Sequence, residues 1–110
     1  VQSAVIPARN VEATRGAIAT PMQVMEASLE VFPLAQARIK KGNQNALSDA
    51  TVSALTAETA ARGAYLNVLI NLSGIPDEAE QKALREKAEG LLVEAGKGSK
   101  AAQRAALKKL

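Results

Sequence analysis

Ser48-Asp49-Ala50-Thr51-Val52-Ser53-Ala54-Leu55-Thr56-Ala57-Glu58-Thr59-Ala60-Ala61-Arg62-Gly63-Ala64-Tyr65-Leu66-Asn67-Val68-Leu69-Ile70-Asn71-Leu72 reads as one helix, and this helix decides the fold. Its only charges are Asp49, Glu58 and Arg62. The rest is apolar or small nearly all round, which predicts a central, buried helix. One face is unusual. Asp49, Ser53, Thr56, Ala60, Gly63, Asn67 and Asn71 follow at steps of three or four, so a polar or small ridge runs along the rod. Amides on such a helix are costly to bury unless something pairs with them.

The chain before this helix is loop and helix in turn. Gly42-Asn43-Gln44-Asn45 is a glycine-led loop, with Ser48 or Asp49 as the expected N-cap of the central helix. From Pro21 to about Lys41 the apolar residues fall at helical spacing. Met22, Met25, Leu29 and Phe32 form one stripe, with Val24, Val31, Ala35 and Ile39 beside it. Pro33 lies within and should bend the helix near Leu29. Arg38, Lys40 and Lys41 suit its negative C-terminus, and Gly42 is a natural stop. Residues 8–20 predict a short helix, with Glu12 and Arg15 one turn apart, and a new helix or a kink begins at Thr20-Pro21.

Downstream, Ser73-Gly74-Ile75-Pro76-Asp77 is a turn that launches another acidic-headed helix. Ala79, Ala83, Leu84, Ala88, Leu91, Leu92 and Ala95 form its expected buried stripe. Gly96-Lys97-Gly98-Ser99 reads as a break, with Ser99 capping a weakly docked last helix. The expectation is an all-α fold, an antiparallel bundle of four to five helices over residues 1–96, then a basic C-terminal helix or tail over 97–110.

Composition agrees. Of 110 residues 23 are alanine, and only Phe32 and Tyr65 are aromatic. No cysteine or histidine is present, which excludes disulfides, thiolate metal sites and Ser-His triads. No apolar run is long enough to span a bilayer, so a cytoplasmic protein is the default. Residues 1–96 carry nine Lys/Arg against eleven Asp/Glu, and residues 97–110 carry five basic residues and no acid. The high pI is thus a tail property. Without stacking aromatics or a basic body, nucleic acid is not the expected partner.

Each candidate residue has a functional and a structural reading. Asn43 and Asn45 either make turns and caps or line a pocket at a helix N-terminus. Ser48 and Asp49 either cap or join that pocket, where Asp49 would act on water or balance a developing cation. Asn67 and Asn71 either fix helix register or hold a ligand. Arg62 is better explained by Glu58 than by an anion. Tyr65 reads as a core ring, and no residues cluster at metal-ligand spacing.

The run from Gly42 to Asp49, followed by Arg62-Gly63-Ala64-Tyr65-Leu66-Asn67-Val68-Leu69-Ile70-Asn71-Leu72, resembles the cyclodeaminase/cyclohydrolase family of folate enzymes. Ala19-Thr20-Pro21-Met22 and the helix to Lys41 resemble it too. The similarity spans about residues 10–80. Gln44 stands where family members usually carry proline. Family domains are about twice this long and begin with a glycine-rich segment absent here, so the chain is similar to a C-terminal half. The resemblance implies an all-helical homodimer acting on tetrahydrofolate substrates without metal or redox cofactor. The reaction would be hydrolysis of methenyltetrahydrofolate to formyltetrahydrofolate, or cyclising deamination of formiminotetrahydrofolate. It implies Asp49 in the catalytic role, and Asn43, Asn45, Ser48, Arg62, Asn67 and Asn71 as substrate-binding residues. The alternative is a non-catalytic helical-bundle interaction or dimerisation module.

Overall fold

The computed structural model describes residues 8–110, with side chains from Asn10 onward. All regular structure in it is helical: α1 Ala8–Leu29, α2 Val31–Lys41, α3 Gln44–Leu72 and α4 Glu78–Leu107. Because α1 and α2 are parted by Glu30 alone, the segments make three rods. They lie antiparallel in a bundle of 58 × 18 × 18 Å. Neither of the boundaries expected at Thr20-Pro21 and Gly96–Ser99 divides a helix.

At Pro21 the helix continues. Proline deprives only the Ala17 carbonyl of its helical donor, and Ala17 is on the exposed face, where water can replace it. The bend falls at Glu30, whose amide bonds back to the Ala27 carbonyl at 3.1 Å. Pro33 then sits in the first turn of α2, where no intrahelical bond is lost.

The start of α3 lies a turn earlier than Ser48 or Asp49. Asn43 is extended (φ −75°, ψ −178°), its side-chain oxygen accepts from the Ala46 amide at 3.0 Å, and its carbonyl accepts from Leu47 at 2.9 Å. Asn43 is thus the cap, and Ser48 and Asp49 are released from that duty. Replacing Asn43 by alanine should lower stability by about 1 kcal/mol, read from urea midpoints, while Ser48→Ala should change little. Gly42 is demanded by space rather than by backbone angle. A methyl group there would lie 2.5 Å from the Ala46 Cβ and 2.6 Å from the Arg38 carbonyl oxygen.

Alanine spacing builds the core. In α3 the buried residues are Leu47, Ala50, Ala54, Ala57, Ala61, Ala64, Val68 and Leu72, a seam with steps of three and four. Facing it are Phe32, Ala35 and Ile39 from α2 and Ala95, Ala102 and Ala106 from α4. At the other end Ile18, Met22, Met25, Val68, Leu72, Ile75 and Ala88 form a second cluster. Small side chains let the rods approach closely.

This arrangement explains why Gly96-Lys97-Gly98-Ser99 does not break α4. Gly98 is a notch for a ring: a methyl group on it would lie 2.5 Å from Phe32 Cγ. Ser99 is fully buried and accepts from the Gln103 amide at 3.1 Å. Tertiary packing here outweighs the poor helix propensity of two glycines.

Surface ions tie the rods together. Arg15 donates from Nε and Nη2 to both carboxylate oxygens of Glu80, at 2.8 and 2.9 Å, and also pairs with the expected Glu12. That fork links α1 to α4 and holds the Glu80 carboxyl below the usual carboxylate range. On α3, Arg62 donates to Glu58 at 3.0 Å, as its spacing implied. The Ser99 hydroxyl, then Arg62, also hold the Glu58 carboxyl down. Carboxylates with lowered folded pKa values stabilise at and above the ordinary carboxylate range, because the unfolded chain takes up protons first as pH falls. Stability should therefore drop as pH falls through the lowered values. A urea series from neutral pH to about pH 3 should show the loss, and Glu58→Gln and Glu80→Gln should each flatten it.

Candidate functional site

On α3 the structure separates two faces. The alanine seam is covered by the other rods, while the ridge Asp49, Ser53, Thr56, Ala60, Gly63 and Asn67 is exposed and Asn71 is half-buried. The expectation of a helix buried all round is corrected: this chain covers one face of α3. Val52, Leu66 and Ile70 on the other are 57, 58 and 71% exposed.

Beside the ridge runs an open groove of about 560 Å³ between α3 and the junction of α1 with α2. Val24, Ala27, Ser28 and Val31 form one wall, and Val52, Ser53, Thr56, Ala57 and Ala60 the other. The walls are apolar and small, so a flat ring or another helix fits between them. Ser28 is occupied, donating to the Val24 carbonyl at 2.8 Å. Ser53 and Thr56 carry the groove's other hydroxyls. The ridge pattern pointed to these two. Ala27 and Ser28 have no counterpart in the sequence pattern, because nothing in their spacing tells which face meets α3.

A second cavity of about 310 Å³ lies at the end where α3 begins. Gln44, Ser48, Thr51 and Gln103 supply polar groups, and Leu47, Leu55, Leu107 and Leu110 supply the apolar lining. Only Ser48 of the sequence-derived residues takes part. Gln44 itself is the first residue of α3. That position favours proline, so a proline there in family members would fit the same backbone.

The remaining candidates fall into two groups. Asn43, Asn45, Ser48 and Asp49 are exposed together around the start of α3. Asn67 and Asn71 lie near its far end, where the Asn71 amide donates to the Asn67 carbonyl at 2.8 Å. Arg62 lies between, held by Glu58. At 1.5 Å per residue, Asp49 and Asn71 are about 33 Å apart. One copy of the chain does not bring these groups into a single pocket. Asp49 is the one acid on the ridge, and it stands at one end of it.

Comparison with known proteins places this architecture. Residues 2–90 match the Formiminotransferase-cyclodeaminase family. A methenyltetrahydrofolate cyclohydrolase of Methylorubrum extorquens is 40% identical over 85 residues, 77% of this chain and 41% of that protein. Formimidoyltransferase-cyclodeaminases of Rattus norvegicus and Sus scrofa are each 38% identical over 84 residues, 76% of this chain and 16% of theirs. The chain thus spans less than half the length of these relatives. The match covers all of α1 to α3 and the first half of α4. With the ridge, its flanking asparagines and the helical frame inside the matched region, the chain belongs to the formiminotransferase-cyclodeaminase family.

Proposed function

We propose that this chain builds part of a tetrahydrofolate site for a one-carbon hydrolase or deaminase. The single observation that carries the reading is the solvent-open ridge of α3, bearing Asp49 and Asn67 on either side of the small groove residues, within the family match. The groove admits a flat heterocycle beside Ala57 and Ala60. A methenyl bridge is an amidinium and carries positive charge, so an aligned carboxylate stabilises it and orients the water that adds to its carbon. Water then supplies the formyl oxygen, the carbon–nitrogen bond of the ring opens, and no redox step is involved. The sister reaction closes a formimino group onto the neighbouring nitrogen and expels ammonia. Amides such as Asn43, Asn45, Asn67 and Asn71 suit the donor–acceptor edge of a pterin. Ser48 and Arg62 complete the proposed set, in a cytoplasmic homodimer.

A second reading is favoured by the exposed aliphatic residues of α3, which suit a helical interaction module without catalysis. Folinate separates the two. At ligand concentrations about 100-fold above its dissociation constant, stabilisation is about 2.7 kcal/mol. The melting temperature of an enzyme-type site should rise by several degrees. An unchanged melting temperature at saturating folinate would sink the folate reading.

A further inference from the structure

At one end of the bundle the charge is left unanswered within the chain. Residues 31–41 and 97–110 carry eight Lys/Arg and no acid. Of these eight, only Lys97 has a carboxylate partner among the described residues, Glu94 at 3.7 Å. Among the other described cations the balance is reversed. Arg15, Arg62, Lys82 and Lys87 are all paired, and Arg85 alone is not.

The two basic segments meet in space. A cleft of about 400 Å³ lies between α2 and the C-terminal half of α4. Gln36 and Lys40 stand on the α2 side, and Arg104, Lys108 and Lys109 on the α4 side. Ala101 and Ala105 are too small to fill it, and no carboxylate or aromatic side chain lines it. The Lys109 ammonium donates to the Lys40 carbonyl, which ties the two walls together. From the cleft the cations continue along α4. Lys97, Lys100, Arg104 and Lys108 are all exposed and follow at steps of three, four and four, a row about 16 Å long on one face.

Helix ends explain only part of this. Cations in a last turn answer the negative ends of α2 and α4, and that effect fades within a turn. Lys97 and Lys100 lie two to three turns before Leu107, out of its reach. The α4 wall also lies past residue 90, outside the stretch that matches the family, so the match does not account for the row. A neutral cover would strip these charges of water without pairing them, which is costly. The chemistry that fits is therefore anionic. A single anion would meet the cleft alone, whereas a row of cations one turn apart suits an anion whose charges repeat. Bases find no ring here to stack on. Lysines meet phosphate oxygens as point charges, and Arg104 adds a fork.

We propose that the cleft and the α4 row bind a condensed phosphate chain, free or as the triphosphate of a nucleotide, with Arg104 and Lys108 common to both. The site stands apart from the folate reading.

Titration calorimetry with sodium tripolyphosphate tests it. The unaltered chain should bind at low salt, and affinity should fall as salt screens the row. Arg104→Gln with Lys108→Gln should weaken binding about tenfold. Both side chains are exposed, so helical content by circular dichroism should hold. Lys82→Gln with Arg85→Gln removes the same charge from the first half of α4 and should leave binding unaltered. ATP binding more tightly than tripolyphosphate makes the source a nucleotide, and no more tightly makes it the free chain. No binding of tripolyphosphate at low salt would overturn the proposal. So would equal losses in the two double variants, or an acidic peptide of the same charge binding as tightly. Folinate is read separately: no thermal shift with it retires the folate site and leaves the phosphate result standing.

Discussion

Truncating Phe32 to alanine should lower stability by about 3–5 kcal/mol, the range for emptying an aromatic site in a close-packed core. Small domains hold only about 5–15 kcal/mol in all, so the variant should be largely unfolded at modest urea. The large effect follows from composition. Phe32 is 5% exposed and is the bulkiest side chain in a cluster otherwise made of alanines, Leu47 and Ile39. Alanines cannot swing in to fill the space it leaves.

The partner change is more diagnostic. Gly98→Ala gains about 1 kcal/mol of helix propensity. It also sets a methyl group 2.5 Å from Phe32 Cγ and 2.6 Å from Cδ2, and displacing a packed ring costs about 1–3 kcal/mol. The single variant should therefore be destabilised. Once Phe32 is alanine the clash vanishes, and Gly98→Ala should become stabilising. Urea midpoints for the four proteins of this cycle give the coupling, and its sign is the point. Were Gly98→Ala equally harmful in both backgrounds, the notch would have no bearing on the ring.

That pair also shows where reading the sequence stopped short. The Met22–Phe32 stripe, Ala35 and Ile39 take the places that helical spacing predicts, whereas Val24 beside that stripe and Ala79 and Ala83 in the expected buried stripe of α4 are exposed, the two alanines because they lie on the far side of α4 from Ala88 and Ala95. Propensity alone argued for a break at Gly96-Lys97-Gly98-Ser99. The counter-argument lies 66 positions away in Phe32, and nothing local to Gly98 records it. The start of α3 was misjudged for the opposite reason. Several good caps lie close together from Asn43 to Asp49, and only backbone geometry says which one the helix uses. Arg15 displayed its local partner Glu12, while its link to Glu80 depends on how α1 lies on α4.

The candidate site was legible as a pattern and illegible as a place. The ridge on α3 follows from steps of three and four, so its polar and small residues were visible at once. The same periodicity that aligns them also strings them along the rod. Apolar character all round α3 signalled two faces to cover. This chain covers one, and the exposed Val52, Leu66 and Ile70 mark the other.

Asp49→Asn should separate function from stability. Asp49 is exposed, and the cap of its helix is Asn43. Stability should thus move by no more than about 0.5 kcal/mol. If the carboxylate faces a cationic one-carbon bridge, turnover should fall by about 10²–10³, the loss typical when one aligned electrostatic partner is removed. Asn67→Ala should be impaired at the other end of the ridge. Equal losses of stability and turnover in Asp49→Asn would make that carboxylate a structural residue.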